Sequence, residues 1–246
     1  MRISVVVPFR NEEGHIARCL EALRHQQGFD GEHEVVAVAD RSTDASAAVV
    51  GRFPGVRLLV SRTPGPYAAR NVGIDATDGE IVAFTDGDCE PTVDWLQRIG
   101  EAFEQPDVAA VVGVRTLGRD SFSLSLLSAY DLARDDYIFG GTRAELYYGS
   151  ANNIAFRREA LDEFGPFAER RRGADTLLIR QLVDRRGPGA VVYSPNVIVR
   201  HLEITRATDY YRKCFVYGRS MRRLHGMAPG RPLRTSERIA VWRAAS

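Results

Sequence analysis

Short apolar runs alternate with amphipathic segments along the first half of the sequence. These mainly apolar runs occupy positions 3–7, 34–39, 56–60, 81–84 and 108–114. Runs of this length, bounded by polar residues, Gly or Pro, are typical of buried strands. The predicted helices between them occupy positions 15–25, 45–53 and 93–103, and positions 65–73 are a loop that runs into a short helix. This alternation predicts an α/β fold with a doubly wound, mostly parallel sheet, helices on both faces and a Rossmann-like nucleotide-binding half.

The second half of the sequence is less regular. Helices are predicted at 121–139, from 159 onward, at 176–185 and at 208–224, with a loop and strand at 149–158 and short strands at 190–193 and 196–200. No internal repeat and no linker divides the chain. We therefore predict a single domain over 1–246, with a nucleotide-sugar-binding half (1–115), an acceptor or catalytic half (116–205) and a basic helical tail (206–246).

Composition and charge argue against several classes of function. The chain of 246 residues carries 33 Lys and Arg against 32 Asp and Glu, which argues against a general nucleic-acid binder. Three scattered cysteines match no zinc spacing and suit a reducing compartment. No apolar run is long enough to cross a bilayer, and a strand begins at the N-terminus, so we expect no signal peptide and a cytoplasmic location.

Basic residues gather near the C-terminus. They are Arg212, Lys213, Arg219, Arg222, Arg223, Arg231, Arg234, Arg238 and Arg243, with Glu237 as the sole acidic residue among them. Two interpretations stay open: a solvated helical face, or contact with an anionic acceptor or with the inner face of an anionic membrane. The aromatic residues Tyr210, Tyr211, Phe215 and Tyr217 fit either a membrane-facing helix or the protein core.

Two carboxylates follow the apolar run at 81–84. Asp86 and Asp88 stand at its carboxyl end, which is the edge where open α/β sheets bind ligands. Magnesium and manganese prefer oxygen ligands and are commonly held by one or two carboxylates together with substrate phosphates. The alternative is an acidic turn before the next helix.

Five motifs in order resemble those of glycosyltransferase family 2, whose fold is called GT-A. They are Val5-Val-Val-Pro-Phe-Arg-Asn-Glu12, Val38-Ala-Asp-Arg-Ser-Thr-Asp44, Ala69-Arg-Asn-Val-Gly73, Phe84-Thr-Asp-Gly-Asp88 and Gly173-Ala-Asp-Thr-Leu-Leu178. The resemblance spans residues 3–219. It implies an inverting transfer of sugar from a nucleoside-diphosphate sugar, with UDP as the expected nucleotide, to a hydroxyl acceptor, with a lipid-linked acceptor as one option.

The resemblance also implies roles for particular residues. The residues expected to bind the nucleotide sugar are Pro8, Phe9, Arg10, Glu12, Asp40, Arg70, Asp86 and Gly87. A divalent metal, Mn²⁺ or Mg²⁺, would be held by Asp86, Asp88 and His201. A lone His is more often structural, although imidazole does suit manganese.

Asp175 is the expected general base, because inverting transfer needs a carboxylate to take the proton of the acceptor hydroxyl. Its position at a predicted helix start equally suits an N-cap. Asn152 and Asn153 are expected on the sugar or acceptor side, where amides can hydrogen-bond hydroxyls, with a tight turn as the alternative.

Several positions depart from the family pattern. Ala39 and Ala174 replace carboxylates and Arg41 replaces a Gly, which leaves a catalytically impaired nucleotide-sugar-binding scaffold as an alternative. The Gln-x-x-Arg-Trp motif of processive members is absent, which favours transfer of single sugars. A sugar nucleotidyltransferase is disfavoured, because the loop at 8–13 contains no Gly.

Overall fold

A computed structural model describes residues 1–117, 121–141, 143–169, 172–221 and 230–245. These residues contain an eight-stranded sheet with the order β3-β2-β1-β4-β7-β6-β8-β5. Its strands are β1 (Arg2–Phe9), β2 (Glu32–Ala39), β3 (Val56–Val60), β4 (Ile81–Thr85), β5 (Cys89–Pro91), β6 (Ala110–Thr116), β7 (Asn153–Arg157) and β8 (Val191–His201). Strands β3, β2, β1 and β4 pair in parallel, as predicted for the nucleotide-binding half. Beyond β4 the sheet is mixed, because β7 runs antiparallel to both β4 and β6.

The helices in the described residues occupy the predicted regions, with shifted ends. They are α1 (Ile16–Arg24), α2 (Ser46–Val50), α3 (Pro66–Asp75), α4 (Trp95–Ala102), α5 (Phe122–Phe139), α6 (Arg158–Phe164), α7 (Ala174–Arg186), α8 (Ala207–Met221) and α9 (Thr235–Ala245). Within the described part of the chain, none of them combines the length and apolarity needed to cross a bilayer.

Helices cover both faces of the sheet. Successive residues of a strand point to opposite faces, and β1 follows this rule. Val5 and Val7 pack with the apolar residues of α1 and α4, whereas Val6 packs with those of α3 and α7. Because both faces are covered, the central strands are mainly apolar, with the buried Ser4 of β1 as an exception, and they appear in the sequence as short apolar runs.

The strands near the second edge of the sheet differ from the prediction. The predicted strands at 190–193 and 196–200 form one strand, β8, whose pairing with β6 shifts register between Gly113 and Val114. The shift lets Pro195, which has no N–H to donate, stay within the strand. Strand β5 was not predicted at all, since its three residues directly follow an Asp-Gly-Asp turn.

The aromatic residues near the C-terminus divide between the two predicted environments, the core and the exposed surface of a helix. Tyr210 is buried, whereas Tyr211 and Phe215 are 60% and 68% exposed. Helix α9 packs against α5, where the rings of Tyr130 and Trp242 lie 4.8 Å apart. Arg222 and Arg223 lie outside the described residues, as do the side chains of Tyr217 and Arg219.

Hydrogen bonds connect the loops that follow β1 and β2. Asn11 and Arg41 both adopt left-handed backbone conformations, with φ of 55° and 54°. The Asn11 side-chain oxygen accepts a hydrogen bond from the Thr43 N–H at 2.8 Å, and the Ser46 hydroxyl accepts one from the Glu12 N–H at 2.7 Å. A left-handed residue at position 41 explains why the family pattern has Gly there, since Gly adopts this conformation at little cost.

We predict that Arg41→Gly stabilises the protein. A left-handed conformation costs a residue with a side chain about 1–2 kcal/mol, and the greater freedom of Gly in the unfolded chain offsets part of this gain. The expected rise in the free energy of unfolding is about 0.5–1 kcal/mol, measured by urea denaturation. Arg52→Gly, at an exposed position without a left-handed backbone, is the matched control and should destabilise. A loss of stability in Arg41→Gly would contradict the prediction.

Candidate functional site

A cleft opens where β1, β2 and β4 end side by side. It is lined by Pro8, Phe9, Arg10, Glu12, Asp40, Pro66, Asp86, Gly87 and Asp88. The lining contains every residue that the sequence predicted for the nucleotide sugar except Arg70. Gly87 permits close packing, because a Cβ at this position would come within 2.9 Å of the Phe9 Cβ. The parallel register of the three strands therefore brings the three motif loops together.

Asp40 is held at the wall of the cleft. The residue is 4% exposed, and its Oδ1 accepts a hydrogen bond from the Gly65 N–H at 3.0 Å. Gly65 has a φ of 127°, which L-residues with side chains rarely adopt. The turn before α3 thus fixes the orientation of this carboxylate, which can accept from a base edge or a ribose hydroxyl.

Arg70 lies beneath the acidic pair and is 3% exposed. Its guanidinium forms an ion pair with Asp86 and donates a hydrogen bond to the Ala151 carbonyl at 3.2 Å. It also lies 5.3 Å from the centre of the Tyr67 ring. Burial raises the pKa of Asp86, and the charge of Arg70 opposes this shift. Arg70 therefore connects the end of β4 to the loop before β7.

The carboxylate of Asp88 belongs to a different group of side chains from that of Asp86. Ligand atoms of Asp88, His201 and Glu203 all lie within 4.8 Å of one another. The pairing of β5 with β8 sets this arrangement, because it places Cys89 opposite His201. The Leu202 N–H also donates to the Asp88 carbonyl at 2.8 Å. Asp86 is not one of the three, since its carboxylate pairs with Arg70.

Sequence reasoning missed Glu203. Glu203 lies two positions after His201, in the bend that follows the end of β8. This spacing was the available signal. It carried little weight in the sequence, because position 203 lies beyond the predicted strand.

The charges in this group suit a divalent cation. Burial, together with the negative charge of Asp86, raises the pKa of Asp88 to about 7. Burial lowers the pKa of His201 to about 2, so its imidazole is neutral, which is the form that ligates metals. None of the described residues hydrogen-bonds the buried His201 Nδ1. Two carboxylates and one neutral imidazole form a donor set that fits manganese.

Lys213 on α8 also reaches this group. Its Nζ lies 2.6 Å from Glu203 Oε2, 3.0 Å from His201 Nε2 and 3.7 Å from Asp88 Oδ2. From the sequence, Lys213 was expected only as part of the basic tail.

Asp175 lies in the first turn of α7, where the N-cap residue is Gly173 with a φ of 83°. The N-cap alternative for Asp175 is therefore wrong. Its Oδ1 accepts hydrogen bonds from the Tyr67 hydroxyl and the Thr176 N–H, both at 2.8 Å, and its Oδ2 accepts one from the Ala151 N–H at 2.9 Å. Burial raises the pKa of Asp175, while these hydrogen bonds oppose the shift.

The two candidate amides on the sugar side have different environments. The Asn152 Oδ1 accepts a hydrogen bond from the Ser150 hydroxyl at 2.8 Å. Asn153 is fully buried: its Oδ1 accepts from Trp95 Nε1 at 2.9 Å, and its Nδ2 donates to the Val114 and Val197 carbonyls at 2.8 Å each. The structure thus contradicts a sugar contact for Asn153, whose amide joins β6, β7 and β8 in the core.

The known proteins described below, which this chain resembles in sequence, are glycosyltransferases. Residues 4–174 match the family described as Glycosyl transferase family 2. The chain is 29% identical over 186 residues to Glycosyltransferase AglE of Haloferax volcanii, covering 67% of this chain and 55% of that protein. It is also 28% identical over 230 residues to the Pre-mycofactocin glycosyltransferase of Mycobacterium tuberculosis, covering 89% of this chain and 46% of that protein. The chain thus spans about half the length of these relatives.

A solved structure shares the fold. The mannosyltransferase PcManGT of Pyrobaculum calidifontis, in complex with GDP-Man and Mn²⁺, is 22% identical and superposes with a TM-score of 0.67 over 99% of this chain and 68% of that chain. This likeness confirms the predicted α/β fold of GT-A type.

We predict that Asn153→Ala destabilises the protein by about 3 kcal/mol. The change leaves the Trp95 N–H and two strand carbonyls buried without their partner, and each unsatisfied group costs about 1–3 kcal/mol. Urea unfolding measures the loss. Asn152→Ala is the matched control, because Asn152, at 9% exposed, accepts its hydrogen bond from the hydroxyl of Ser150, which is only half-buried and can turn to water. This variant should stay within about 1 kcal/mol of the wild type. Equal effects of the two changes would contradict the structural role of Asn153.

Proposed function

This chain belongs to glycosyltransferase family 2, and we propose that it moves a single sugar from a nucleoside-diphosphate sugar to an acceptor hydroxyl, with inversion at the anomeric carbon. A divalent metal and the carboxylate of Asp175, as general base, complete the proposed reaction. One observation carries the proposal. Asp88 belongs both to the lining of the acidic cleft and to the group that it forms with His201 and Glu203, so the cleft and this group adjoin at one edge of the sheet.

The chemistry of the cleft supports the donor class. Asp40 offers a fixed carboxylate to the nucleobase of the donor. Glu12 also lines the cleft, on the loop after β1, where burial raises the pKa of its carboxyl. The buried Arg70 would act through Asp86, because its guanidinium pairs with that carboxylate and fixes it at the wall of the cleft for a ribose hydroxyl. PcManGT holds GDP-Man and Mn²⁺, and this likeness supports a nucleoside-diphosphate sugar here. UDP is the nucleotide we expect.

Asp88, His201 and Glu203 would hold the metal, with Asp86 directed toward the ribose or the metal from the neighbouring turn. When bound, the metal neutralises the negative charge that develops on the leaving nucleoside diphosphate. Mn²⁺ or Mg²⁺ fits this role, and the imidazole favours Mn²⁺.

Asp175 would take the proton of the acceptor hydroxyl as the hydroxyl oxygen attacks the anomeric carbon. A carboxylate has about four lone-pair sites, and the hydrogen bonds from Tyr67, Ala151 and Thr176 use three of them. These bonds fix the carboxylate and leave one site for the acceptor. Its raised pKa makes Asp175 a stronger proton acceptor. Attack on the side opposite the leaving diphosphate inverts the configuration.

The acceptor is proposed only as a class. Asn152 is the remaining amide candidate on the acceptor side, next to Ala151, which donates to Asp175. A lipid-linked hydroxyl would place the enzyme in the cytoplasm at the inner face of the membrane. The exposed Tyr211 and Phe215 beside Arg212 on α8 support contact with an anionic interface. Tyr217-Gly-Arg-Ser220, at the place of the processive motif, supports transfer of one sugar.

We predict that one of UDP, GDP and dTDP binds in a manner that needs Mn²⁺ and Asp88. Titration calorimetry of each nucleotide, with and without Mn²⁺, measures this on the wild type and on Asp88→Ala. We expect UDP to bind with Mn²⁺, and the affinity to fall at least about tenfold in Asp88→Ala, because a charged ligand is lost from the metal site. Asp94→Ala, a carboxylate beyond β5 that pairs with Arg98, is the matched control and should bind as the wild type does.

Two results would count against this part of the proposal. Binding of no nucleotide would overturn the proposed donor site, whereas binding without transfer would favour the impaired nucleotide-sugar-binding scaffold. Equal binding with and without Mn²⁺ would remove the metal from the donor site.

We predict that Asp175→Asn lowers transfer by about 10²- to 10⁴-fold, the range that general-base catalysis contributes. Transfer, or hydrolysis of the matching sugar donor, gives the rate, and calorimetry with the nucleotide and Mn²⁺ checks that donor binding stays within about threefold. Tyr67→Phe, which removes one hydrogen bond to Asp175 but keeps the carboxylate, should lower the rate far less. A rate in Asp175→Asn close to that of the wild type would exclude Asp175 as the base.

A further inference from the structure

The ammonium of Lys213 lies among the three candidate metal ligands. It is 2.6 Å from Glu203 Oε2, 3.0 Å from His201 Nε2 and 3.7 Å from Asp88 Oδ2. The ligand atoms themselves are within 4.8 Å of one another. The ammonium thus contacts the atoms that a divalent cation would contact, and it carries the same sign of charge.

A metal ion and the ammonium cannot share this space. Divalent cations of the size of Mg²⁺ bind oxygen ligands at about 2.0–2.1 Å. An ammonium that stays within 2.6–3.7 Å of the same ligand atoms would lie against the ion, where two positive charges repel strongly in a partly buried site. His201 Nε2 offers one lone pair, which serves either the ammonium or the metal.

The side chain of Lys213 reaches the surface of the protein. Helix α8 is anchored one turn earlier by Tyr210, which is buried and donates a hydrogen bond to Asp131 Oδ1 at 2.8 Å. The Lys213 side chain is itself 26% exposed, and Tyr211 and Phe215 beside it on the helix are exposed to solvent. The long, flexible lysine stem can therefore turn its charge into water without moving the helix.

We propose that Lys213 is a tethered cation that competes with the divalent metal for the site formed by Asp88, His201 and Glu203. A metal ion displaces the ammonium on entry, so the affinity for the metal alone is lower than the three ligands would give by themselves. The inference rests on the proposed function, which assigns the metal to these ligands. It adds that a residue of the basic tail controls how tightly the metal is held.

The first experiment measures Mn²⁺ binding by calorimetry without nucleotide. Lys213→Met keeps the apolar stem and removes the charge, and we expect it to raise the Mn²⁺ affinity at least about tenfold. Arg212→Met is the matched control: it removes a neighbouring positive charge that is 78% exposed and lies near Asp209 instead of the metal ligands. Its affinity should stay within about twofold of the wild type. Adding Asp88→Ala to Lys213→Met should abolish the gain.

A second experiment follows the ammonium in the unaltered protein. Lys213 is the only lysine of the sequence, so an amine-reactive reagent labels it and the N-terminal amine alone. We expect the labelling rate of Lys213, relative to the N-terminal amine and measured by mass spectrometry of peptides, to rise severalfold as Mn²⁺ saturates the site. This readout does not depend on the folding of a variant.

The outcomes separate the inference from the proposed function. Mn²⁺ binding of equal strength in the wild type and Lys213→Met, or unchanged labelling at saturating Mn²⁺, would overturn the inference and leave the metal site standing. Mn²⁺ binding by Lys213→Met but not by the wild type would support it most strongly. Absence of Mn²⁺ binding in every variant would overturn the inference together with the proposed metal dependence.

Discussion

The antiparallel pairing of β5 with β8 is the contact on which the candidate metal site depends. It sets Cys89 opposite His201, and the Leu202 N–H bonds the Asp88 carbonyl, so a carboxylate and an imidazole more than a hundred residues apart become neighbours. The strand is only three residues long. Its position is nonetheless fixed, because β8 continues across the sheet to pair with β6.

Arg70 has a comparable role on the other side of the cleft. One buried guanidinium contacts the Asp86 carboxylate, the Ala151 carbonyl and the Tyr67 ring, while the Tyr67 hydroxyl bonds Asp175. Burying a charge is costly unless it is paired and hydrogen-bonded, and these contacts offset much of that cost, although the Arg70 Nε has no hydrogen-bond partner among the described residues. The donor side and the proposed base are thereby held in one connected set of contacts, which suits a reaction that needs both in fixed geometry.

The structure shows the surroundings of two residues that depart from the family pattern, Ala174 and Arg41. Ala174 is 1% exposed and belongs to the apolar core, so a carboxylate there would be buried in apolar surroundings. Arg41 keeps the left-handed turn that Gly would adopt more easily. Neither residue is one of the three candidate metal ligands Asp88, His201 and Glu203.

The sequence by itself determined the parallel half of the fold and the residues of the cleft, because continuous apolar runs and the polar residues directly after them are local patterns. The pattern also gave Asp86 and Asp88, and the family resemblance added His201 as their partner and the nucleotide-sugar roles of the cleft residues. Only the tertiary structure decided that Glu203 and Lys213 join them, that Asp86 pairs with Arg70, and that Asn153 belongs to the core. These assignments depend on β5, on the register shift in β8 and on the packing of α8, which are contacts between distant segments that no local spacing encodes.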